Sequence, residues 1–153
     1  MGTGWLIRRD LLVTAGHNVY SERYGGKARR IKCWVGYYGK EFVNEESVQY
    51  PTALNVATTE SWHSKKGERI RDLAFIQVKK PFSENIKPFK YRDTPGSLKR
   101  GDLEVVGYPG DLPDSDDKGS LMYQCRRITE YNLETTKEHM IEYRIDTYGG
   151  EYH

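Results

Sequence analysis

Short apolar runs, many of them alternating with polar residues and separated by turn residues, dominate the chain. Runs of this length that are rich in β-branched and aromatic residues and end at glycine or proline are typical of strands rather than helices. The runs that predict strands are residues 5–7, 11–13, 31–35, 42–43, 73–78, 103–106, 121–123 and 140–145. The pattern predicts an all-β fold.

The segments between the predicted strands divide the chain into two halves. The longest candidate for a helix, residues 56–64, lacks a sustained apolar stripe, so we expect a loop with one turn there. The stretch between Lys90 and Gly101 is polar and rich in turn residues. Such a composition predicts a linker between two halves.

Composition and charge disfavour several classes of function. With 24 Lys and Arg residues against 22 Asp and Glu residues, the net charge is only +2, which disfavours nucleic acid or an anionic membrane as a partner. The basic clusters at residues 27–32 and 79–80 are interpreted as solvated strand ends, and a nucleic-acid-binding barrel is the least favoured alternative. No apolar run approaches the roughly 18 residues of a membrane span, and no signal peptide begins the chain. The compartment stays open.

Neither the two cysteines nor three of the four histidines predict a functional site. Cys33 and Cys125 lie far apart, and we expect two unpaired thiols packed as small apolar groups rather than a disulfide. His63 is interpreted as a solvated loop residue. His139 and His153 have no acidic or sulfur neighbours at metal-ligand spacing. The sequence predicts neither a metal site nor a cofactor.

Two segments each place one ionisable residue at the end of an apolar strand, TAGH at residues 14–17 and DLAF at residues 72–75. Taken alone, His17 is an ordinary turn residue, and Asp72 pairs with Arg71 or with a backbone amide. A carboxylate beside a run apolar enough to be buried on both faces must be paired, because its desolvation is costly, and a neutral histidine is a suitable partner. Together they indicate two thirds of a Ser-His-Asp triad whose serine follows later in the chain.

Five ordered motifs relate the chain to a known family. They are GTGW at residues 2–5, TAGH at 14–17, DLAF at 72–75, VGYPGD at 106–111 and TYGG at 147–150. In order and approximate spacing they resemble the trypsin-like serine proteases, and most of all the bacterial-type glutamyl endopeptidase branch. The resemblance covers nearly the whole chain. It implies peptides or proteins as substrates.

The resemblance also implies two six-stranded β-barrels with the active site in the crevice between them. We expect a first barrel over residues 1–91, a linker over 92–101 and a partial second barrel over 102–153. The residues expected in the core of the first barrel are Leu6, Leu12, Val35, Leu73, Phe75 and Val78. Because the second half has only three predicted strands, its sheet is not expected to close, and its open edges favour self-association.

Carried over position by position, the resemblance implies roles for five residues. His17 is the general base, and Asp72 is the acid that orients it. Gly150 is the oxyanion-hole glycine, and Thr147 lines the primary specificity pocket. Tyr152 occupies the position of the serine nucleophile.

The nucleophile segment departs from the family pattern, since Tyr152 replaces serine and Glu151 replaces asparagine or aspartate. A phenol reaches several ångströms further than a serine hydroxyl and fills the space that the scissile carbonyl needs. We therefore expect a serine endopeptidase domain, present as a truncated chain that does not itself cleave peptides. The alternative is a non-catalytic pseudoprotease that binds peptides or a partner protein in the cleft between the barrels. Members of the family are often secreted, although this chain shows no signal peptide.

Overall fold

The computed structural model describes residues 2–64, 69–91, 100–108 and 122–130 of the chain. Strands dominate these residues, as the sequence pattern predicts. The strands are β1 (Gly4–Arg8), β2 (Leu11–Thr14), β3 (Tyr20–Ser21), β4 (Gly26–Lys27), β5 (Ala53–Thr58), β6 (Ala74–Val78), β7 (Arg100–Gly107) and β8 (Tyr123–Glu130). The helices are the α-helix α1 (Glu60–Ser64) and 3-10 helices at Gly16–Asn18, Glu22–Tyr24, Lys40–Phe42 and Arg69–Arg71. Within the described ranges, no helix has the length and apolar character needed to cross a membrane.

Four strands form an antiparallel sheet in the order β1-β2-β6-β5. The two central strands pair in a register that sets Leu12 opposite Ile76 and Thr14 opposite Ala74. Because β2 and β6 run in opposite directions, the end of β2 lies beside the beginning of β6. The short segments just outside these two strand ends are therefore neighbours in space.

The core lies mainly on one face of this sheet. Along β6, Ala74, Ile76 and Val78 are at most 5% exposed, whereas Phe75 is 39% exposed. The expectation that Leu73 and Phe75 belong to the core is wrong, because an antiparallel sheet with one packed face turns alternate residues outward. The buried cluster consists of Leu6, Leu12, Val19, Cys33, Ala74, Ile76, Val78 and Phe82.

The strand predicted at residues 31–35 is reduced to isolated bridges. Lys32 pairs with Thr52, and Val35 pairs with Gln49. Val35 is half-buried and packs against the core cluster. A segment rich in β-branched and aromatic residues does not form a strand by itself, because a strand also needs a partner strand elsewhere in the chain.

Two other local predictions are corrected by the structure. Residues 42–43 are not a strand, since they lie at the end of the 3-10 helix Lys40–Phe42. At residues 56–64, where a loop with one turn was expected, the turn is present as the five-residue helix Glu60–Ser64, but residues 56–58 belong to the strand Ala53–Thr58. Residues 53–58 form a strand because they pair with β6. This pairing cannot be recognised from the local sequence alone.

The second half of the chain contributes an antiparallel ribbon of β7 and β8, paired over eight positions. Strand β7 begins at Arg100, so the last two residues of the predicted linker belong to it. The backbone N–H of Tyr108 donates a hydrogen bond of 3.0 Å to the hydroxyl of Thr3, which connects the end of β7 to the start of the first half. The strand predicted at residues 140–145, and position 121, lie outside the described residues.

Cys33 and Cys125 are free thiols, as expected. Cys33 is buried in the core, and burial raises its pKa to about 11. A thiol with such a pKa stays protonated near neutral pH and acts as a small apolar group. Its contribution to the fold is therefore packing rather than covalent linkage.

Candidate active site

His17 and Asp72 lie next to two neighbouring strand ends of the antiparallel sheet. Strand β2 ends at Thr14, and the 3-10 helix Gly16–Asn18 that follows it carries His17. On the other side, the 3-10 helix Arg69–Arg71 is followed directly by Asp72, and β6 begins two residues later. The antiparallel register of β2 and β6 thus brings the two side chains within reach of each other.

The side chains of His17 and Asp72 are hydrogen-bonded to each other. The ring Nδ1 of His17 lies 2.7 Å from Oδ2 of Asp72, which falls within the range expected for a catalytic pair. The backbone N–H of His17 donates to the other carboxylate oxygen, Oδ1, at 2.8 Å. The two side chains are only 23% and 20% exposed. One carboxylate therefore fixes both the ring and the backbone of the histidine.

This hydrogen bond sets the tautomer of the imidazole. An ionised carboxylate can only accept hydrogen bonds, so Nδ1 of His17 carries the proton and donates it to Asp72. The other ring nitrogen, Nε2, is then the unprotonated one, and it is buried. An oriented imidazole whose Nε2 can accept a proton is what a general base requires.

Trp62 braces the turn that carries the histidine. A β-carbon at Gly16 would lie 2.9 Å from Cδ1 and 3.0 Å from Cγ of the indole, so only glycine leaves room for this contact. The indole Nε1–H donates to the carbonyl of Tyr20 at 3.2 Å. The indole also meets the imidazole of His17 edge-on, with ring centroids 6.4 Å apart. A single side chain therefore contacts the turn before, at and after the histidine.

Hydrogen bonds continue from Trp62 to the segment that carries the aspartate. The backbone N–H of Trp62 donates to the hydroxyl of Thr59 at 3.1 Å, and this hydroxyl donates to the carbonyl of Arg71 at 2.8 Å. The hydroxyl of Thr58 donates to the carbonyl of Leu73, also at 2.8 Å. The carbonyls on both sides of the aspartate therefore accept hydrogen bonds from Thr58, the last residue of β5, and from Thr59, which follows it.

A second network joins three of the sequence motifs beside the site. The hydroxyl of Thr14 donates to the carbonyl of Thr3 at 2.7 Å and accepts from Nδ2 of Asn18 at 2.9 Å. The hydroxyl of Thr3 in turn accepts from the backbone N–H of Tyr108. Burial raises the pKa of the Tyr108 phenol, which therefore stays neutral. Thr3, Thr14 and Tyr108, one residue from each of the three motifs, are thus joined by hydrogen bonds.

An open cleft of about 380 Å³ adjoins His17. One wall is the turn that carries the histidine, and the other is the hairpin of β3 and β4 with the segment that follows it. Besides His17, the lining residues that matter for its chemistry are Asn18, Tyr20, Tyr24, Lys27 and Arg29.

The other histidine considered from the sequence lies close by but outside the pair. His63 is exposed at the end of α1, rather than in a loop, and its ring packs against Tyr20 with centroids 4.4 Å apart. Across the described residues, no group of three or more His, Cys, Asp or Glu is placed to hold a metal ion. The remaining predicted site residues lie outside the described residues and are Thr147, Gly150 and Tyr152.

Trp62 and Thr59 are site-supporting residues that the sequence reasoning missed. Thr59 stands immediately before α1, and its hydroxyl accepts the N–H of the third helical residue, which is the geometry of a helix N-cap. A threonine directly before Glu60 is a recognisable N-cap signal. Nothing in the local sequence shows that the indole of Trp62 reaches across to Gly16.

An all-β chain that supplies His before Asp, and joins the two at neighbouring strand ends, has the arrangement of the chymotrypsin-like class of peptidases. The comparison with protein families agrees. The chain belongs to the trypsin-like peptidase domain family, which it matches over residues 2–152. The resemblance predicted from the motifs is therefore confirmed.

Individual relatives point the same way. The chain is 26% identical over 151 residues to the glutamyl endopeptidase of Bacillus licheniformis, a match that covers 97% of this chain and 42% of that protein. It is similar to the solved structure of a Glu endopeptidase in complex with MPD, with a TM-score of 0.75, 21% identity, and coverage of 98% of this chain and 65% of that one. A structure described as GrC gives a TM-score of 0.59, 15% identity, and coverage of 83% and 52%.

These matches confirm the expected trypsin-like, all-β fold. Within the described residues, the strands form open sheets rather than closed barrels. The chain spans less than two thirds of the length of each of these relatives.

Proposed function

We propose that the chain is a domain of a serine-type endopeptidase, in which a peptide bond is cleaved through an acyl-enzyme and His17 and Asp72 are two members of the triad. The observation that carries this function is the hydrogen bond of 2.7 Å between Nδ1 and Oδ2. Membership of the trypsin-like peptidase family supports the reaction class and supports peptides or proteins as substrates.

In this role the pair moves a single proton. His17 takes the proton of the nucleophile on Nε2 and later delivers it to the leaving amine, while Asp72 stabilises the imidazolium through Nδ1. The second hydrogen bond, from the backbone of His17 to Oδ1, supports this role because it restrains the base in one orientation. Pre-set orientation removes part of the entropic cost of reaching the transition state.

The remaining roles are proposed from the positions of the motifs. Gly150 supplies an oxyanion-hole N–H, and Thr147 lines the primary specificity pocket. The first barrel covers residues 1–91, the linker residues 92–101 and the partial second barrel residues 102–153. The ribbon of β7 and β8 is in keeping with this division, since it pairs within the second half.

The polypeptide is proposed to be inactive toward peptide bonds because Tyr152 occupies the position of the serine nucleophile. A phenol neither matches the reach of a serine hydroxyl nor leaves room for the scissile carbonyl. Loss of the serine from such a triad typically lowers kcat by about 10⁶. The base and its orienting acid would then stand beside a site without its nucleophile.

Covalent labelling tests this inactivity. We expect the unmodified chain to resist a fluorophosphonate probe and to leave a fluorogenic peptide containing glutamate uncleaved. Stoichiometric labelling that is abolished by His17→Ala but kept by His63→Ala would contradict the proposal, because it would reveal an active serine under the control of this base. His63→Ala is the matched control, since it removes a nearby imidazole outside the pair.

The role of the pair is tested separately by NMR spectroscopy. A strongly hydrogen-bonded Nδ1 proton of His17 should give a downfield resonance that disappears in Asp72→Asn and persists in His63→Ala. If the resonance is missing from the unmodified chain, or survives in Asp72→Asn, the triad assignment is wrong. This measurement does not depend on catalysis.

A second candidate is a non-catalytic pseudoprotease that binds peptides or a partner protein in the cleft. The observation that favours it is Tyr152 at the serine position together with an intact hydrogen bond between His17 and Asp72. Saturable binding of a peptide that is recovered uncleaved would favour this candidate. Slow cleavage of the same peptide, abolished by His17→Ala, would favour the endopeptidase.

A further inference from the structure

The carboxylate of Asp72 binds His17 through both of its oxygens. Oδ2 accepts from the ring Nδ1 at 2.7 Å, and Oδ1 accepts from the backbone N–H of the same histidine at 2.8 Å. Hydrogen bonds weaken steeply when they are bent, so a rotation of the carboxylate disturbs both of them. The two bonds therefore depend on how the backbone places the side chain of Asp72.

Asp72 lies at the centre of a three-residue turn. The backbone N–H of Leu73 donates to the carbonyl of Arg71 at 2.8 Å, which is the hydrogen bond of a γ-turn. The backbone N–H of Asp72 itself donates to the carbonyl of Arg69 at 3.1 Å. A single backbone hydrogen bond stabilises such a turn only modestly. The shape of the turn therefore depends on what holds its two ends.

Two consecutive threonines hold both ends of this turn. The hydroxyl of Thr59 donates to the carbonyl of Arg71, and the hydroxyl of Thr58 donates to the carbonyl of Leu73, each at 2.8 Å. Threonine is branched at Cβ and has few χ1 rotamers, so each hydroxyl points in a restricted direction. The threonine pair, Thr58 and Thr59, thus fixes the residues before and after Asp72.

The threonine pair is also connected to the turn that carries the histidine. The hydroxyl of Thr59 accepts the backbone N–H of Trp62 at 3.1 Å. The indole of Trp62 lies against Gly16, the residue before His17. Thr59 therefore contacts the segment of the aspartate directly and the segment of the histidine through one residue.

We propose that Thr58 and Thr59 are positioning residues of the candidate active site, which hold the turn around Asp72 so that its carboxylate orients His17. They act through the aspartate and not on the reacting atoms. The inference rests on the proposed function, because it requires that Asp72 orients a base. It assigns a role to two uncharged residues that lie outside the five sequence motifs.

The test uses the variants Thr58→Val, Thr59→Val and the double variant, followed by NMR spectroscopy. Valine keeps the branched shape of threonine and lacks its hydroxyl. We expect the Nδ1 proton of His17 to move upfield in each variant. In the double variant it should exchange with water about three- to tenfold faster, as expected for the loss of hydrogen bonds of ordinary strength. Thr58→Val leaves the N-cap of α1 intact, so its effect does not arise from the helix.

Two further variants separate positioning from a general effect of removing hydroxyls. The double variant Thr58→Ser/Thr59→Ser keeps both hydroxyls and should retain the Nδ1 resonance of the unmodified chain. Ser64→Ala is the matched control, because the hydroxyl of Ser64 donates to the carbonyl of Glu60 at 2.8 Å within α1. Its removal takes one hydrogen bond from the same region without touching the turn, and should leave the Nδ1 proton unchanged.

The backbone amide of Leu73 reports on the turn itself, and its exchange should also become faster in the valine variants. Faster exchange at Leu73 with an unchanged Nδ1 proton would show that the threonines only stabilise the backbone, and would overturn the positioning role. No change at either proton, or an equal effect of Ser64→Ala, would also overturn it. An effect confined to Thr59→Val would assign the result to the cap of α1 and would contradict the role of the pair.

Failure of this inference and failure of the proposed function are distinguishable. If the downfield resonance is absent from the unmodified chain, the pair of His17 and Asp72 is wrong and the positioning role fails with it. If the resonance is present and is lost in Asp72→Asn, but does not respond to the valine variants, only the positioning role is overturned.

Discussion

At the scale of single residues, Gly16 lies where the indole of Trp62 crosses the turn that carries His17. The close approach leaves no room for a β-carbon, since three indole atoms would lie at about 3.0 Å from it. Gly16 is not among the glycines with positive φ in the described residues, so an alanine there is opposed by the indole and not by the backbone conformation. Replacement of Gly16 by alanine therefore tests the contact with Trp62 without adding backbone strain.

We predict that Gly16→Ala lowers the free energy of unfolding by about 1–3 kcal/mol, the usual cost of overpacking a filled site. In a Trp62→Ala background the same substitution should cost less than about 0.5 kcal/mol, because the obstructing ring is gone and alanine restricts the unfolded chain. Urea unfolding of the four proteins in this double-mutant cycle measures the coupling between the two positions.

The same variants carry a second readout at the histidine. If the indole positions the turn, Gly16→Ala should also weaken or shift the Nδ1 proton resonance of His17. A destabilising substitution far from the site would leave this resonance unchanged in the folded molecules. Equal costs of Gly16→Ala in both backgrounds, with the resonance unchanged, would show that Trp62 does not brace the site.

The contact between His17 and Asp72 could be predicted because each of the two residues is marked by its local sequence. His17 and Asp72 stood out because each ionisable group adjoins an apolar strand, and the structure places them 2.7 Å apart. Trp62 did not stand out, because its role depends on a contact with a glycine 46 positions earlier in the chain. Contacts of that kind are set by the packed fold and not by the local pattern.

At the scale of elements, the register of β2 and β6 determines that His17 and Asp72 lie close together. Pairing of Thr14 with Ala74 aligns the two strand ends, and a shift by one residue would turn every core side chain of β6 outward. The sequence predicted both strands from their apolar runs. It wrongly placed Phe75 in the core, because a continuous apolar run does not reveal which of its two faces is covered.

Strand β5 was missed, and its position explains why. It is the last strand of the sheet within the described residues, and Leu54 and Val56 are 56% and 44% exposed. A strand at an edge has fewer packing neighbours, so its sequence shows a weaker apolar pattern. An exposed apolar edge is also a template for pairing with another chain.

We therefore predict that Leu54→Lys lowers self-association of the chain without a large loss of stability. A charge on an edge strand opposes pairing with a second copy, and an exposed position contributes little to the core. Sedimentation velocity over a range of protein concentrations measures the effect. The outcome that contradicts this prediction is an unmodified chain that is monomeric throughout, or a lysine variant that associates as before.

Tyr91→Lys is the control for this variant. Tyr91 is 83% exposed but belongs to none of the described strands, so its replacement changes surface hydrophobicity and charge in the same direction without touching the edge of the sheet. A similar reduction of association in Tyr91→Lys would assign the effect to general charge rather than to β5.

At the scale of the whole molecule, the two halves differ in how their strands are supported. The four-stranded sheet of the first half packs against a shared cluster of buried side chains, including Leu12 and Ile76. In the described residues the second half contributes β7 and β8, which pair only with each other. The all-β class was predictable from the apolar runs and the family from the ordered motifs. The strand pairings that support each half depend on contacts that local patterns do not encode.

This difference predicts unequal protection from hydrogen exchange. The amides of Leu12 and Ile76 lie in central strands over a packed core and should exchange slowly, since they open only with the loss of that core. The amides of Val105 and Cys125 lie in a two-stranded ribbon and should exchange at least about tenfold faster, because such a ribbon is only marginally stable by itself. Exchange followed by NMR in a sample shown by sedimentation to be monomeric decides the matter. Protection of Val105 and Cys125 equal to that of Leu12 and Ile76 would mean that the second half is as well supported as the first and that the weakness assigned to it is mistaken.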